Sequence, residues 1–341
     1  VPHHPSHGRS RPHVARPVPS RSGPTRASVP RERRPEHPLR PGDPDRIGGY
    51  TLLGRLGEGG QGVAYLGRDE AGELVTVKML RGGAAAGQRA RSRFIREADA
   101  ATQVAGRHTA RVLDADVNGD SPYIVSEFVE GPSLQQVVQE DGPLTGPQLR
   151  KVALRTAGAL AAIHRADVVH RDFKPGNVLL GPDGAKVIDF GIARTTGTLY
   201  DTTGPLTTGP VGTPSYMAPE QIEDEPVGPP ADVFAWGATM VFAATGRPPF
   251  GTGSGAAVMR RVTSRRPDLG DLQGPLRELV AACLDKNPAA RPTARQLVRA
   301  LRDDSGPVTR PRPTQIPRYR WQMMVALAGV VLLGFLLGVL I

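Results

Sequence analysis

The sequence predicts an α+β chain: a small antiparallel sheet, then a larger helical part, then one further apolar helix at the C-terminal end. Three observations carry this. From Tyr50 to Val129 short apolar runs alternate with glycine, as strands joined by tight turns do. After Gly131 apolar residues recur every three or four positions, as along one face of a helix. Residues 323–341 carry no charge at all.

The segment before the sheet has a different composition. Residues 1–46 hold ten Arg against four acids, with eleven Pro and five Ser and almost no large apolar side chain. Such a stretch buries too little surface to offset its ordering entropy and is expected to be a disordered tail. Four of its histidines, His3, His4, His7 and His13, are read as part of that composition rather than as metal ligands. No apolar run precedes a cleavage site, so no signal peptide is expected.

Charge excludes one class of function. The chain carries +10. Residues 1–46 contribute +6, and residues 302–321, with five Arg against two acids, contribute +3. Only about +1 remains for residues 47–301, whereas a nucleic-acid binder usually carries its charge on the fold itself. No specific nucleic-acid partner is expected. The single cysteine, Cys283, permits no intrachain disulfide and no cysteine-based metal site, and reads as a small buried apolar residue. Five Lys beside 38 Arg, with abundant Ala, Gly and Pro, resembles translation from a high-G+C bacterial genome.

The strands are YTLLGRLG, GVAYLGRD, LVTVKML and PYIVSEFV, interrupted by a helix near residues 89–104. In QLRKVALRTAGALAAIH, residues Leu149, Val152, Ala153, Ala157, Leu160 and Ile163 share one helix face. LRELVAACLDKNP is another amphipathic stretch, and Thr293 and Gln296 have capping-box spacing ahead of the last soluble helix. The final nineteen residues would span roughly 28 Å as a helix, close to the ~30 Å hydrocarbon core of a bilayer. Arg318, Arg320 and Trp321 flank its N-terminal end, where the positive-inside bias would place the preceding body in the cytoplasm. Gly334 and Gly338 have the GxxxG spacing that packs helix pairs, so a homodimer is among the partners considered.

The chemistry starts at LGEGGQGVAY. Gly57, Gly59 and Gly62, followed by Val63, are matched to G-x-G-x-x-G-x-V, with Glu58 and Gly60 inside the loop. Bare backbone there lets amides close over phosphates, and the strand that comes next disfavours a Rossmann unit, which would place a helix there. Lys78 lies within the apolar strand VTVK, where a charge needs a matching partner. Glu97, on FIREADAATQV, carries the opposite charge. Further along come HRDFKPGN at 170–177, IDFG at 188–191, GTPSYMAPE at 212–220 and DVFAWG from Asp232.

Taken in order, these motifs resemble the eukaryotic-like (Hanks-type) serine/threonine protein kinases of bacteria, with an actinobacterial composition, across residues 50–301. The resemblance implies a bilobal protein kinase fold over 47–301, with an N-lobe at 47–130 and a C-lobe at 131–301. A basic juxtamembrane linker, 302–321, and a transmembrane helix, 322–341, would come after it. It implies an ATP-dependent enzyme using Mg²⁺, or Mn²⁺ in its place, that phosphorylates Ser and Thr hydroxyls of proteins and of itself. The expected setting is a single-pass protein of the cell membrane.

Residue by residue, the resemblance makes Asp172 the acceptor of the substrate hydroxyl proton and Lys174 the charge beside the transferring phosphoryl group. Asn177 and Asp189 would hold the metal through oxygen, and Lys78, fixed by Glu97, the inner phosphates. Thr76, Glu127 and Val129 would line the adenine site, with Ser126 as a small gatekeeper. Thr213 would face the substrate platform. Glu220 and Arg291 would form a structural ion pair, and Asp232 would support the catalytic loop. Arg171 would pair with a phosphate on the loop after Gly191, with Thr207 or Thr208 and then Thr203 as the acceptors. The rival reading is a pseudokinase scaffold, which binds partners without turnover. Such proteins commonly lose the metal Asp, the catalytic Asp or the strand Lys, and all three residues are present here.

Overall fold

The computed structural model describes residues 37–59, 62–80, 102–104, 106–116, 122–190 and 214–303. Its first half is a six-stranded antiparallel sheet made of β1 (Arg46–Ile47), β2 (Tyr50–Gly59), β3 (Gly62–Arg68), β4 (Leu74–Leu80), β5 (Val112–Asp116) and β6 (Tyr123–Glu127), in the order β1-β2-β3-β4-β6-β5. Strand alternation gives it two faces. Tyr65, Val75, Val77, Tyr123 and Val125 pack on one face with Ile47 and Leu52. Residues Ala64, Thr76, Lys78, Ile124 and Ser126 share the other, as their cross-strand pairing requires.

The second half is mainly helical: α1 (Leu134–Glu140), α2 (Gly146–Arg165), α3 (Pro219–Ile222), α4 (Pro229–Thr245), α5 (Gly255–Ser264), α6 (Gly274–Cys283) and α7 (Ala294–Asp303). Helix α2 buries the face read from its periodicity, including Leu149, Val152, Ala153, Ala157, Leu160 and Ile163. Helix α4 is apolar almost all round and forms the centre of this half, with Phe234, Trp236 and Met240 fully buried. The Trp236 indole N–H donates to Thr156 of α2 at 2.9 Å, so its polar atom is satisfied. Cys283 is buried, and burial pushes its thiol pKa up. Thr293 and Gln296 form the capping box reciprocally, at 2.7 and 3.3 Å.

Two strands lie inside the helical half and were not read from the sequence: β7 (Val178–Gly181) and β8 (Gly184–Val187), a hairpin. Strand β5, VLDAD, was also missed. Where the two halves meet, Gly131 has φ +132°, and a Cβ there would lie 2.3 Å from the Leu180 carbonyl oxygen. A Cβ on Gly181 would lie 2.6 Å from the Glu130 carbonyl oxygen. Only glycine at both positions lets the connection press against β7.

One boundary is corrected. Residues 1–46 were expected to be a disordered tail, yet the part of it from His37 belongs to the sheet half. His37 bridges Arg55, β1 pairs with β2, and Leu39 packs on the sheet's apolar face. The Arg- and Pro-rich composition hid this because backbone pairing and one buried carboxylate, Asp43, hold the segment along with a few apolar side chains, and composition does not reveal either of those polar contacts.

Among the described residues no helix is long and apolar enough to cross a membrane. The expected transmembrane segment 322–341 lies outside them, as does the linker from residue 304.

Candidate active site

The loop between α2 and β7 carries most of the chemistry. Its backbone is hung from Asp232, a first-turn residue of α4 that is 1 % exposed. One carboxylate oxygen accepts from His170 N–H at 2.8 Å and from the His164 ring Nε2 at 2.7 Å. The other accepts from Arg171 N–H at 2.8 Å. Gln221 donates to the Arg171 carbonyl at 2.9 Å. These bonds hold Arg171 at φ +63°, a left-handed conformation that a non-glycine residue adopts only when its surroundings over-determine it.

Beyond this anchor the chain presents Asp172. Lys174 Nζ lies 2.7 Å from its Oδ2. Asn177 closes a short 3-10 turn, Pro175–Asn177, and donates its amide nitrogen to the Asp172 carbonyl at 2.8 Å. With its nitrogen committed there, Asn177 presents its amide oxygen to anything else. Strand β8 then delivers Asp189, also left-handed at φ +57°. Its Oδ2 lies 3.1 Å from Lys78 Nζ, so an ion pair links β4 of the sheet to the segment after β8.

Lys78 and Thr76 point to the same side of β4, with Ser126 paired opposite Thr76 on β6. Glu127 accepts from the Lys186 ammonium and from Arg111 N–H, and Val129 is buried. Gly57, Glu58 and Gly59 end β2 and Gly62 opens β3. Glu58 pairs with Arg55 at 2.8 Å and with Arg40 at 3.0 Å.

Val63 requires a correction. It was expected to line the nucleotide site, but it pairs with Met79 and packs on the sheet's apolar face, away from Lys78. Ala64, which pairs with Lys78, occupies the position one residue on that the pattern calls for. A slip of one residue in a strand reverses the face.

Glu220 and Arg291 meet in a bidentate pair at 2.6 and 2.8 Å, both buried. Arg291 also lies over the Phe234 ring. Gly60, Glu97, Thr203, Thr207, Thr208 and Thr213 lie outside the described residues. His164, Gln221 and Lys186 were not singled out from the sequence. Their partners are 68, 50 and 59 residues away, and no local pattern marks them. A cavity of about 690 Å³ between the ends of α2, α4, α6 and α7 contains none of the site residues.

The donor set fits a divalent cation carrying a polyphosphate. A carboxylate and an amide oxygen are the hard donors that Mg²⁺ accepts from protein while phosphates and water complete its shell. Lys78 supplies a cation on the same side. A glycine-rich strand pair next to β4, Lys78 of β4 paired with Asp189, and Lys174 paired with Asp172 are the donor set of a nucleotide-dependent phosphotransferase.

Comparison with known proteins agrees with that class. Residues 50–301 match the protein kinase domain family, and the chain belongs to it. The chain is 46% identical over 268 residues to "Probable serine/threonine-protein kinase PkwA" of Thermomonospora curvata, covering 78% of this chain and 36% of that protein. It is 42% identical over 273 residues to the serine/threonine-protein kinase AfsK of Streptomyces coelicolor, covering 77% and 34%. The chain thus spans about a third of the length of these curated relatives. Among solved structures, the kinase domain of Mycobacterium tuberculosis PknI superposes with a TM-score of 0.60 at 25% identity, covering 76% of this chain and 97% of that one. The chain therefore carries a bilobal Ser/Thr-type protein kinase domain related to those of actinobacteria, and nothing in these comparisons favours the pseudokinase reading.

Proposed function

We propose that this chain is an active Ser/Thr protein kinase that transfers the γ-phosphate of Mg·ATP to protein hydroxyls, its own activation loop included. The observation that carries the reading is the convergence of Asp172, Lys174 and Asn177, on the loop anchored from the buried Asp232, with Lys78 of β4 and Asp189 after β8, which form an ion pair. When bound, Mg·ATP supplies the phosphoryl group with part of its charge neutralised by the metal. Asp189 and Asn177 would hold the metal, and Lys78 the inner phosphates. The Asp172 carboxylate orients the acceptor hydroxyl and takes its proton. The Lys174 ammonium, held beside Asp172, adds positive charge where negative charge gathers. Such a reaction needs positioning and electrostatics more than covalent help, and these residues supply both.

Arg171, held by its backbone next to Asp172, is suited to pair with a phosphothreonine, and Thr207 or Thr208 is the proposed acceptor. The domain limits, 47–301 with an ordered extension back to His37, are part of this reading. So is a C-terminal membrane helix that keeps the kinase domain at the cytoplasmic face. The test is transfer of ³²P from labelled ATP to a generic protein with Mg²⁺ present. The intact chain is expected to label it, and Asp172→Asn to lose at least about a hundredfold of that rate. Phosphopeptide mapping of the active protein should place phosphate at residues 203–208. An intact chain that binds ATP yet transfers nothing would instead favour the scaffold reading.

A further inference from the structure

The residues just before β2 are tied to the glycine hairpin by a chain of charges. The Asp43 side chain is 5% exposed. Its carboxylate receives Arg55 Nε at 2.7 Å, Arg55 Nη2 at 2.6 Å, the Tyr65 hydroxyl at 2.8 Å and the Arg40 backbone N–H at 2.8 Å. The Arg55 guanidinium above all holds the carboxyl well below the usual carboxylate range, so Asp43 stays ionised. The same segment pairs with Arg55 through its backbone, since Arg55 N–H donates to the His37 carbonyl at 2.8 Å and His37 N–H returns a bond at 3.2 Å.

From Arg55 the connection runs on to the hairpin. Its Nη1 lies 2.8 Å from Glu58 Oε2, and Arg40 Nη1 reaches the same oxygen at 3.0 Å. Glu58 stands between Gly57 and Gly59, and the register of β2 against β3 slips between Arg55 and Gly57. The hairpin therefore leaves a bulge, and a bulge re-aims the residues beyond it. Glu58 and Arg40 are 36% and 58% exposed, so their ion pair adds little stability. Its effect is instead to constrain the direction of a glycine-rich turn.

We propose that Asp43 is a positioning residue for nucleotide binding, holding Arg55 and through it Glu58, so that the glycine hairpin keeps the shape that receives phosphates. The proposal rests on the nucleotide reading of that hairpin. It assigns to residues 37–47, all of them ahead of the matched kinase domain, a part in phosphate recognition and none in adenine recognition.

Calorimetric titration of the full chain with ATP and with adenosine separates the two contributions. In Asp43→Asn, ATP affinity is expected to fall about five- to tenfold, about 1–1.4 kcal/mol, while adenosine affinity stays within about twofold, because the loss falls on the phosphates that adenosine lacks. Glu58→Gln is expected to show the same selective loss, and the double variant no more than either single one, because all three cut one connection. Equal losses for ATP and adenosine, no loss, or losses that multiply in the double variant would overturn the proposal. Should Asp43→Asn fail to fold, Glu58→Gln, altered at an exposed site, still decides through its ATP-to-adenosine ratio. A wild-type chain that binds no ATP would sink the nucleotide reading itself. Normal wild-type binding with unaffected variants sinks the positioning role alone.

Discussion

His170 is 2% exposed, and among the described residues neither of its ring nitrogens has a hydrogen-bond partner. It packs edge-on against Phe173 and Phe190, at 5.5 and 6.4 Å between centroids. Burial pushes its pKa below the ordinary 6.5, against the pull of Asp232, Asp172 and Asp189. The folded state therefore resists a proton that the unfolded chain accepts. Its contribution to stability is complete above about pH 6.5 and is lost as pH falls through the lower folded value. Thermal unfolding between pH 7.5 and 5 should show it. His170→Leu is expected to lose less melting temperature across that range than the parent by a few degrees, about 2–4 °C for each kcal/mol at this size. An identical acid limb in both would assign the loss to the carboxylates alone. At this scale the sequence was legible wherever a residue is costly out of context, as Lys78 is inside an apolar strand. It was silent about Asp43, whose partners Arg55 and Tyr65 are 12 and 22 residues away in a region whose composition reads as unstructured.

Elements meet through buried charge as well as apolar area. Glu220 at the start of α3 and Arg291 just before α7 form a pair with 3% and 0% side-chain exposure. Removing one partner strands the other without water. Arg291→Ala is expected to cost about 3–5 kcal/mol in urea unfolding, and Glu220→Gln with Arg291→Met together distinctly less than that. A single substitution costing under about 1 kcal/mol would mean that the pair is hydrated. Long periodic elements such as α2 and reciprocal caps such as Thr293–Gln296 were plain from local pattern. Strands β5, β7 and β8 were not, because VLDAD alternates with acids and the β7–β8 hairpin is only four residues to a side. Strands that short are defined by their neighbours. Val63 and Ala64 teach the same lesson, since the face of β3 is set by its pairing with β4 and a motif misplaced by one residue inverts it.

For the whole molecule, the order of motifs along 250-odd residues identified the fold before any contact was known, because each demands a partner that only this arrangement supplies. The ends were less legible. The sheet half begins earlier than composition allowed, and the apolar run 323–341 reads as a membrane span from its length and lack of charge alone. Fractionation of cells expressing the chain should recover it with membranes and resist extraction by alkaline carbonate. Deleting 322–341 should release it to the supernatant with ³²P transfer intact. Release of the undeleted chain by salt alone would instead mean attachment through the basic residues before it. Finally, Gly131 and Gly181 bring two main chains together where no methyl group has room. Any rocking of the sheet over the helices would have to be taken up by torsions on either side of that crossing. Even an alanine placed there would act as a wedge, prising the cleft ajar by steric bulk alone.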